Sequence, residues 1–180
     1  MYYSEPQMEL LKVVRILGCL ERRQARALLR LRYEVTLEAA DSIIRQLKCD
    51  GKIKTVENTG LILSADGKEY SCVLRAVDIA LCFAEPGAGP EILPCKPEFL
   101  LYAYYPGNST RLWILHIPEG TEQEKNMLVD YAQDMAPAQS IYVMLLDSMS
   151  QANYISAKSP CIFAYPDQNG RLQLKSWKGK

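Results

Sequence analysis

The sequence predicts an α+β protein in two parts: three helices closed by a β-hairpin, then a bridging helix and a small α/β domain. Three observations predict it. Apolar residues recur at helical spacing through the first part of the chain, the period switches to that of strands just after Gly51, and the second half alternates hairpins with helical stretches. The division drawn from these is 1–68, a bridging helix with a Pro/Gly linker over 69–97, and 98–180.

Leu10, Val13, Val14 and Leu17 fall at i, i+3, i+4 and i+7, one apolar face of a helix from about Pro6 to Leu20. Pro6 suits the first turn, where its missing N–H costs nothing. Glu21 to Arg30 reads as a short second helix with Ala25, Leu28 and Leu29 inward. Thr36 can cap a third, whose Ala40, Ile43, Ile44 and Leu47 keep the spacing, and Asp50 and Gly51 end it. Lys52–Glu57 and Leu61–Leu63 then read as strands around a turn at Asn58–Gly60.

Three helices and a hairpin within about sixty residues is the winged helix-turn-helix order. The segment Thr36-Leu-Glu-Ala-Ala-Asp-Ser-Ile-Ile-Arg-Gln-Leu-Lys-Cys-Asp-Gly-Lys-Ile53 resembles the third helix and the start of the wing in bacterial winged-helix proteins. That resemblance implies DNA binding.

Past Leu63, residues 69–85 carry Val73, Val77, Ala80, Leu81 and Ala84, a helix expected to bridge to the second half of the chain. Pro86, Gly87, Gly89, Pro90, Pro94 and Pro97 read as a linker. Phe99–Tyr105 and Arg111–Ile117 form an expected hairpin around Pro106–Asn108. Thr121 and Glu124 form an expected capping box opening a helix to about Met135, with Leu128, Tyr131 and Met135 on one face. The nearly unbroken apolar run Ser140–Leu146 predicts a central strand buried on both faces. A short helix comes next, then a last hairpin from Cys161–Tyr165 and Arg171–Trp177.

A winged helix followed by this element order resembles the replication-relaxation (MobC-like) proteins of plasmids and conjugative elements, and a similar uncharacterised Firmicutes family. The resemblance implies a second domain with a restriction-endonuclease-like fold. An active nuclease of that kind carries an acid on the hairpin and an Asp/Glu-x-Lys on the next strand, the carboxylates holding Mg²⁺. Arg111–Ile117 contains no acid, and the Asp-Gly-Lys triplets at Asp50 and Asp66 stand where turns are expected. The second domain therefore reads as a degenerate, non-catalytic version, with no cofactor and no metal.

Other chemistry is equally poorly served. The six cysteines include no Cys-x-x-Cys pair, and His116 has no cysteine near it, which argues against structural zinc or a disulfide framework. His116 lies in an apolar strand and reads as packing. Glu119, Glu122 and Glu124 suit the start of a helix through its dipole alone. The start of the chain lacks the basic residues and apolar run of a signal peptide, and no apolar stretch is long enough for a bilayer, so a cytoplasmic, membrane-free protein is expected.

The chain has 21 basic and 21 acidic side chains. Residues 1–70 hold 12 Lys/Arg against 10 Asp/Glu, a mild surplus that is not that of a strongly basic domain. The arginines Arg22, Arg23, Arg26, Arg30 and Arg32 form an expected phosphate-neutralising stripe on the second helix and its exit. On the third helix Thr36, Ser42, Arg45, Gln46 and Lys48 are the expected contact residues, with Arg45 and Gln46 suited to base edges. Lys52, Lys54 and Asn58 on the wing are expected at the backbone or minor groove. Glu38 and Asp41 carry the wrong sign for phosphates on that face unless one accepts from a cytosine. The expected partner is double-stranded DNA, in transcription regulation or a mobile element, with the C-terminal domain forming a homodimer or recruiting a protein. The competing readings are a winged helix that contacts only proteins and a nuclease-like enzyme. The DNA-binding and protein-contact readings differ in where the arginines point: onto one surface with Arg45, Lys48 and the wing lysines, or, for Arg22, Arg26 and Arg30, into pairs with acids of the other domain.

Overall fold

The structure is a computed structural model that describes residues 2–134, 139–157 and 160–178. These residues form a mixed α and β fold with two sheets among them.

Ser4 caps α1 (Glu5–Leu17), its side chain and that of Gln7 closing a reciprocal capping box. Leu10, Val13, Val14 and Leu17 are all buried, as the spacing predicts. The helix stops at Gly18, whose φ of 80° an L-residue side chain disfavours, three residues before the expected end. Cys19–Glu21 then forms β1, which the helical period on either side conceals; three residues are too few to show alternation. Glu21 caps α2 (Arg22–Tyr33), and Thr36 caps α3 (Leu37–Cys49) by accepting from the Ala39 N–H at 3.2 Å. The strands β2 (Lys54–Val56) and β3 (Leu61–Leu63) make the hairpin, and β1 pairs antiparallel with β3, giving the order β1-β3-β2.

The helix α4 (Ser71–Cys82) buries Val73, Leu74, Ala76, Val77, Ile79 and Ala80, too many for a one-sided surface helix. It packs on β1 and α2 on one side and on the large sheet on the other. One hydrophobic core consequently runs from Leu10 and Leu47 through Val77 to Leu112 and Val143.

That sheet has the order β4-β5-β6-β7-β8-β9, with β4 (Glu91–Leu93), β5 (Leu101–Tyr105), β6 (Thr110–Ile117), β7 (Ser140–Leu146), β8 (Cys161–Pro166) and β9 (Leu172–Trp177). The pairs β6–β7 and β7–β8 are parallel and the others antiparallel. The strand β7 is central, as its apolar run predicts. Leu112, Ile114, Val143 and Leu145 face the α4 core, while Leu115, Ile117, Met144, Leu146 and Phe163 form a second cluster with Ile155 and Ala157 beyond a 3₁₀ helix (Met149–Tyr154).

Two local expectations are corrected. The stretch read as a linker is partly packed structure: Ile92 of β4 is fully buried, and the Gly89 N–H donates to the Leu31 carbonyl at 3.2 Å. Gly89 has to be glycine there, since a Cβ would lie 2.9 Å from that of Leu31. The Thr121 hydroxyl makes no capping box; it donates to the Pro118 carbonyl, and Glu122 instead accepts from the Gly120 N–H at the start of α5 (Glu122–Asp134). Met135, expected on the apolar face of that helix, lies outside the described residues. No helix among the described residues is long and apolar enough to cross a membrane.

Buried Tyr105 fastens β5 to α4, its hydroxyl donating to the Ala80 carbonyl at 2.6 Å. Replacing it by phenylalanine keeps the ring and removes the bond, at a cost of about 1 kcal/mol. Urea unfolding of Tyr105→Phe should show a lower midpoint with an unchanged slope; an unmoved midpoint would mean the bond adds nothing to folding.

Candidate functional site

The face opposite the buried Ala40, Ile44 and Leu47 of α3 presents Glu38, Ser42, Arg45 and Gln46 to solvent, because those positions lie about half a turn away. Beside it, α3 and the hairpin enclose a groove of about 320 Å³. Arg22, Arg45 and Lys48 line one side, and Thr55, Val56 and Glu57 the other. Arg22 reaches the groove because its N–H donates to the Gly60 carbonyl at 2.8 Å, which fixes the start of α2 against the turn of the hairpin.

The five arginines expected in one stripe are divided among several places. Arg22 and Arg26 converge on Asp41 of α3: Arg22 Nε lies 3.0 Å from Oδ1, Arg26 Nε 2.8 Å from Oδ1, and Arg26 Nη2 2.5 Å from Oδ2. Arg23 points the other way, forking onto Asp78 of α4 with two 2.7 Å bonds and pairing with Glu21. Arg32 lies between Glu9 of α1 and Glu91 of β4, at 3.5 and 3.7 Å. Arg30 is exposed and has no ion pair among the described residues. Arg23 and Arg32 therefore tie elements together, a role the run of arginines in sequence conceals because Asp78 and Glu91 lie 55 and 59 positions downstream.

The α3 and hairpin residues are also unequal. The Thr36 hydroxyl is spent on the helix cap. Gln46 is exposed, but its Oε1 accepts from Gln7 Nε2 at 2.6 Å, which turns the amide toward α1. Lys48 stands 3.8 Å from the highly exposed Glu57. Lys54 donates to the Ala65 carbonyl at 2.5 Å, whereas Lys52 and Asn58 are exposed. Ser42 and Arg45 are left open on the helix.

Asp41, which reads from sequence as a misplaced charge, is the centre of this cluster. The Arg26 guanidinium, helped by the charge of Arg22, holds its carboxyl below the usual value against the opposing pull of partial burial. Glu38 is likewise held low, chiefly by its own N–H at the helix start and by the Thr36 hydroxyl.

His116 is not simple packing. Its Nε2 lies 3.1 Å from Asp147 Oδ1, and Asp147 Oδ2 accepts from the Glu119 N–H at 3.2 Å. The parallel register sets His116 opposite Leu145, so Asp147, two residues on, extends from the same face. The signal was Asp147 itself, the first charged residue after an apolar strand. Among the described residues no three His, Cys, Asp or Glu side chains converge as metal ligands. No family model matches this chain, and comparison with curated proteins and with solved structures finds no match.

Because the folded pKa of Asp41 is depressed, its ionic contribution is complete above the unfolded pKa and is lost as pH falls through the folded one. Asp41→Asn should therefore lower the urea midpoint at pH 7 and differ less from the parent in acid below the ordinary carboxylate range, where the carboxyl protonates. An equal deficit at both would assign the effect to shape, not charge.

Proposed function

We propose that residues 1–68 are a winged helix-turn-helix that binds double-stranded DNA, with α3 as the recognition helix and β2–β3 as the wing. The observation that carries this reading is the shared surface of α3 and the hairpin. Arg45 and Ser42 stand open on the helix, and Arg22 and Lys48 line the adjoining groove with the hairpin strand. The order helix, strand, helix, helix, hairpin and the β1-β3-β2 sheet support it.

An α-helix fits the major groove, about 12 Å wide. Arg45 has the fork that pairs bidentately with guanine, and Ser42 can bond either a donor or an acceptor. Arg22, Arg30, Lys48, Lys52, Lys54 and Asn58 are placed for phosphates or the minor groove, and Gln46 adds to base contact if released from Gln7. Arg23 and Arg32 leave the contact set. The C-terminal half, with no acid on β6, supplies no chemistry in this reading and serves for dimerisation or a protein partner. Such a protein acts in transcription regulation or as an accessory of a mobile element.

A second reading, a winged helix that contacts only proteins, is favoured by one observation. Arg23 and Arg32 spend their charge on Asp78, Glu9 and Glu91, inside the molecule.

Fluorescence anisotropy with random duplex DNA separates the two. Phosphate contacts give binding at low salt that weakens with a log–log slope of about 0.9 per phosphate neutralised. After a preferred site is selected from a random library, Arg45→Ala should weaken that site by about 1–3 kcal/mol while hardly changing random DNA, and Lys48→Ala should weaken all duplexes alike. Absence of binding at low salt would favour the protein-contact reading.

A further inference from the structure

An acid on the recognition helix calls for an explanation in a DNA-binding surface, and the geometry of Asp41 provides one. Both of its oxygens are engaged, one shared by Arg22 and Arg26 and the other by Arg26 alone. The Nε–Nη2 edge by which Arg26 holds Asp41 is the edge with which a guanidinium clamps a phosphate. While the carboxylate occupies it, that edge is closed to DNA. Arg22 gives up only its Nε, on a side chain 46% exposed.

We infer that Asp41 is a specificity-determining residue, a carboxylate of the recognition helix that competes with DNA phosphates for Arg22 and Arg26 and so holds down sequence-independent binding. The inference rests on the DNA-binding reading above. Non-specific affinity comes almost wholly from phosphate neutralisation. Two arginines at the helix start would bind any duplex, and the carboxylate cancels one of their charges and blocks the better clamp. What discriminates between sequences, Arg45 and Ser42 on the helix, is left untouched. The useful quantity for a protein facing many competing sites is the ratio of specific to non-specific affinity, which this arrangement raises.

A bond that merely staples α2 to α3 is the plain alternative. The two helices already pack against each other, each with a buried apolar face, and exposed ion pairs add little to stability. A staple has no bearing on the salt dependence of DNA binding, so that is the discriminating readout.

The experiment is anisotropy of the full chain with a random duplex, titrated with salt, for the parent protein and Asp41→Asn, with folding checked by circular dichroism and thermal melting. Asp41→Asn should bind on the order of tenfold tighter at low salt, with a slope steeper by about 1–2, as one or two further phosphates are contacted. Adding Arg22→Gln and Arg26→Gln to it should abolish the gain, which identifies those arginines as the source. If Asp41→Asn is not folded, Asp41→Ser carries the same measurement. A folded variant that binds no more tightly than the parent, or more tightly with an unchanged slope, overturns the inference while leaving DNA binding in place. Absence of binding by both parent and variant overturns the inference and the DNA-binding reading together. Binding by the variant alone supports both.

Discussion

The helix α4 cannot be covered from one side. Val73, Leu74, Ala76, Val77, Ile79 and Ala80 are buried around so much of its circumference that it has to lie between two bodies. Burying a Val, Leu or Ile side chain is worth about 1.5–3 kcal/mol. The four such residues in this helix represent an amount comparable to the net stability of a whole domain, about 5–15 kcal/mol. The helical N-terminal half supplies one wall and the six-stranded sheet the other, and the polar fastenings depend on this placement. Gln24, fully buried, donates to the Leu74 carbonyl and to Asp78, Arg23 forks onto the same Asp78, and Tyr105 reaches Ala80 from the sheet. The buried amide of Gln24 and the buried hydroxyl of Tyr105 thus find partners on α4, without which their burial would be costly.

The same constraint decides what the basic residues of α2 are available for. A helix packed between neighbours offers its charges in several directions. Arg23 faces α4, Arg32 faces α1 and β4, and Arg22 and Arg26 face α3. The proposed DNA surface is therefore smaller and less positive than the count of arginines suggests. It is built from α3, the hairpin and the side of α2 that carries Arg22 and Arg30, and in the inference above Asp41 tunes it instead of intruding on it.

At the other end of the molecule, the order of strands explains a pair that composition does not. Because β6 and β7 run parallel in register, the ends of both strands arrive together, and His116 meets Asp147. Gln151 seals the same corner: its Oε1 accepts from the Asp147 and Ser148 N–H groups, and its Nε2 donates to the Ile117 carbonyl. Fully buried, it is the kind of polar residue retained only when its bonding is complete.

The sequence by itself determined the elements whose signals are local. The apolar spacing of Leu10 to Leu17, the Thr36 cap, the turn at Gly60 and the apolar run Ser140–Leu146 each act within a few residues, and each is found in the structure. Of the three-residue strands, β2 and β3 were legible through the tight turn that joins them, whereas β1 and β4 lack such a turn and gain their hydrogen bonds from partners about forty and about ten residues away. Only the tertiary structure decided which acid each arginine meets, that the Pro/Gly stretch is packed against α2, and that His116 pairs with Asp147. Ion pairs and polar contacts act through space, and residues as far apart in sequence as Arg23 and Asp78 become neighbours only once the core around α4 has closed.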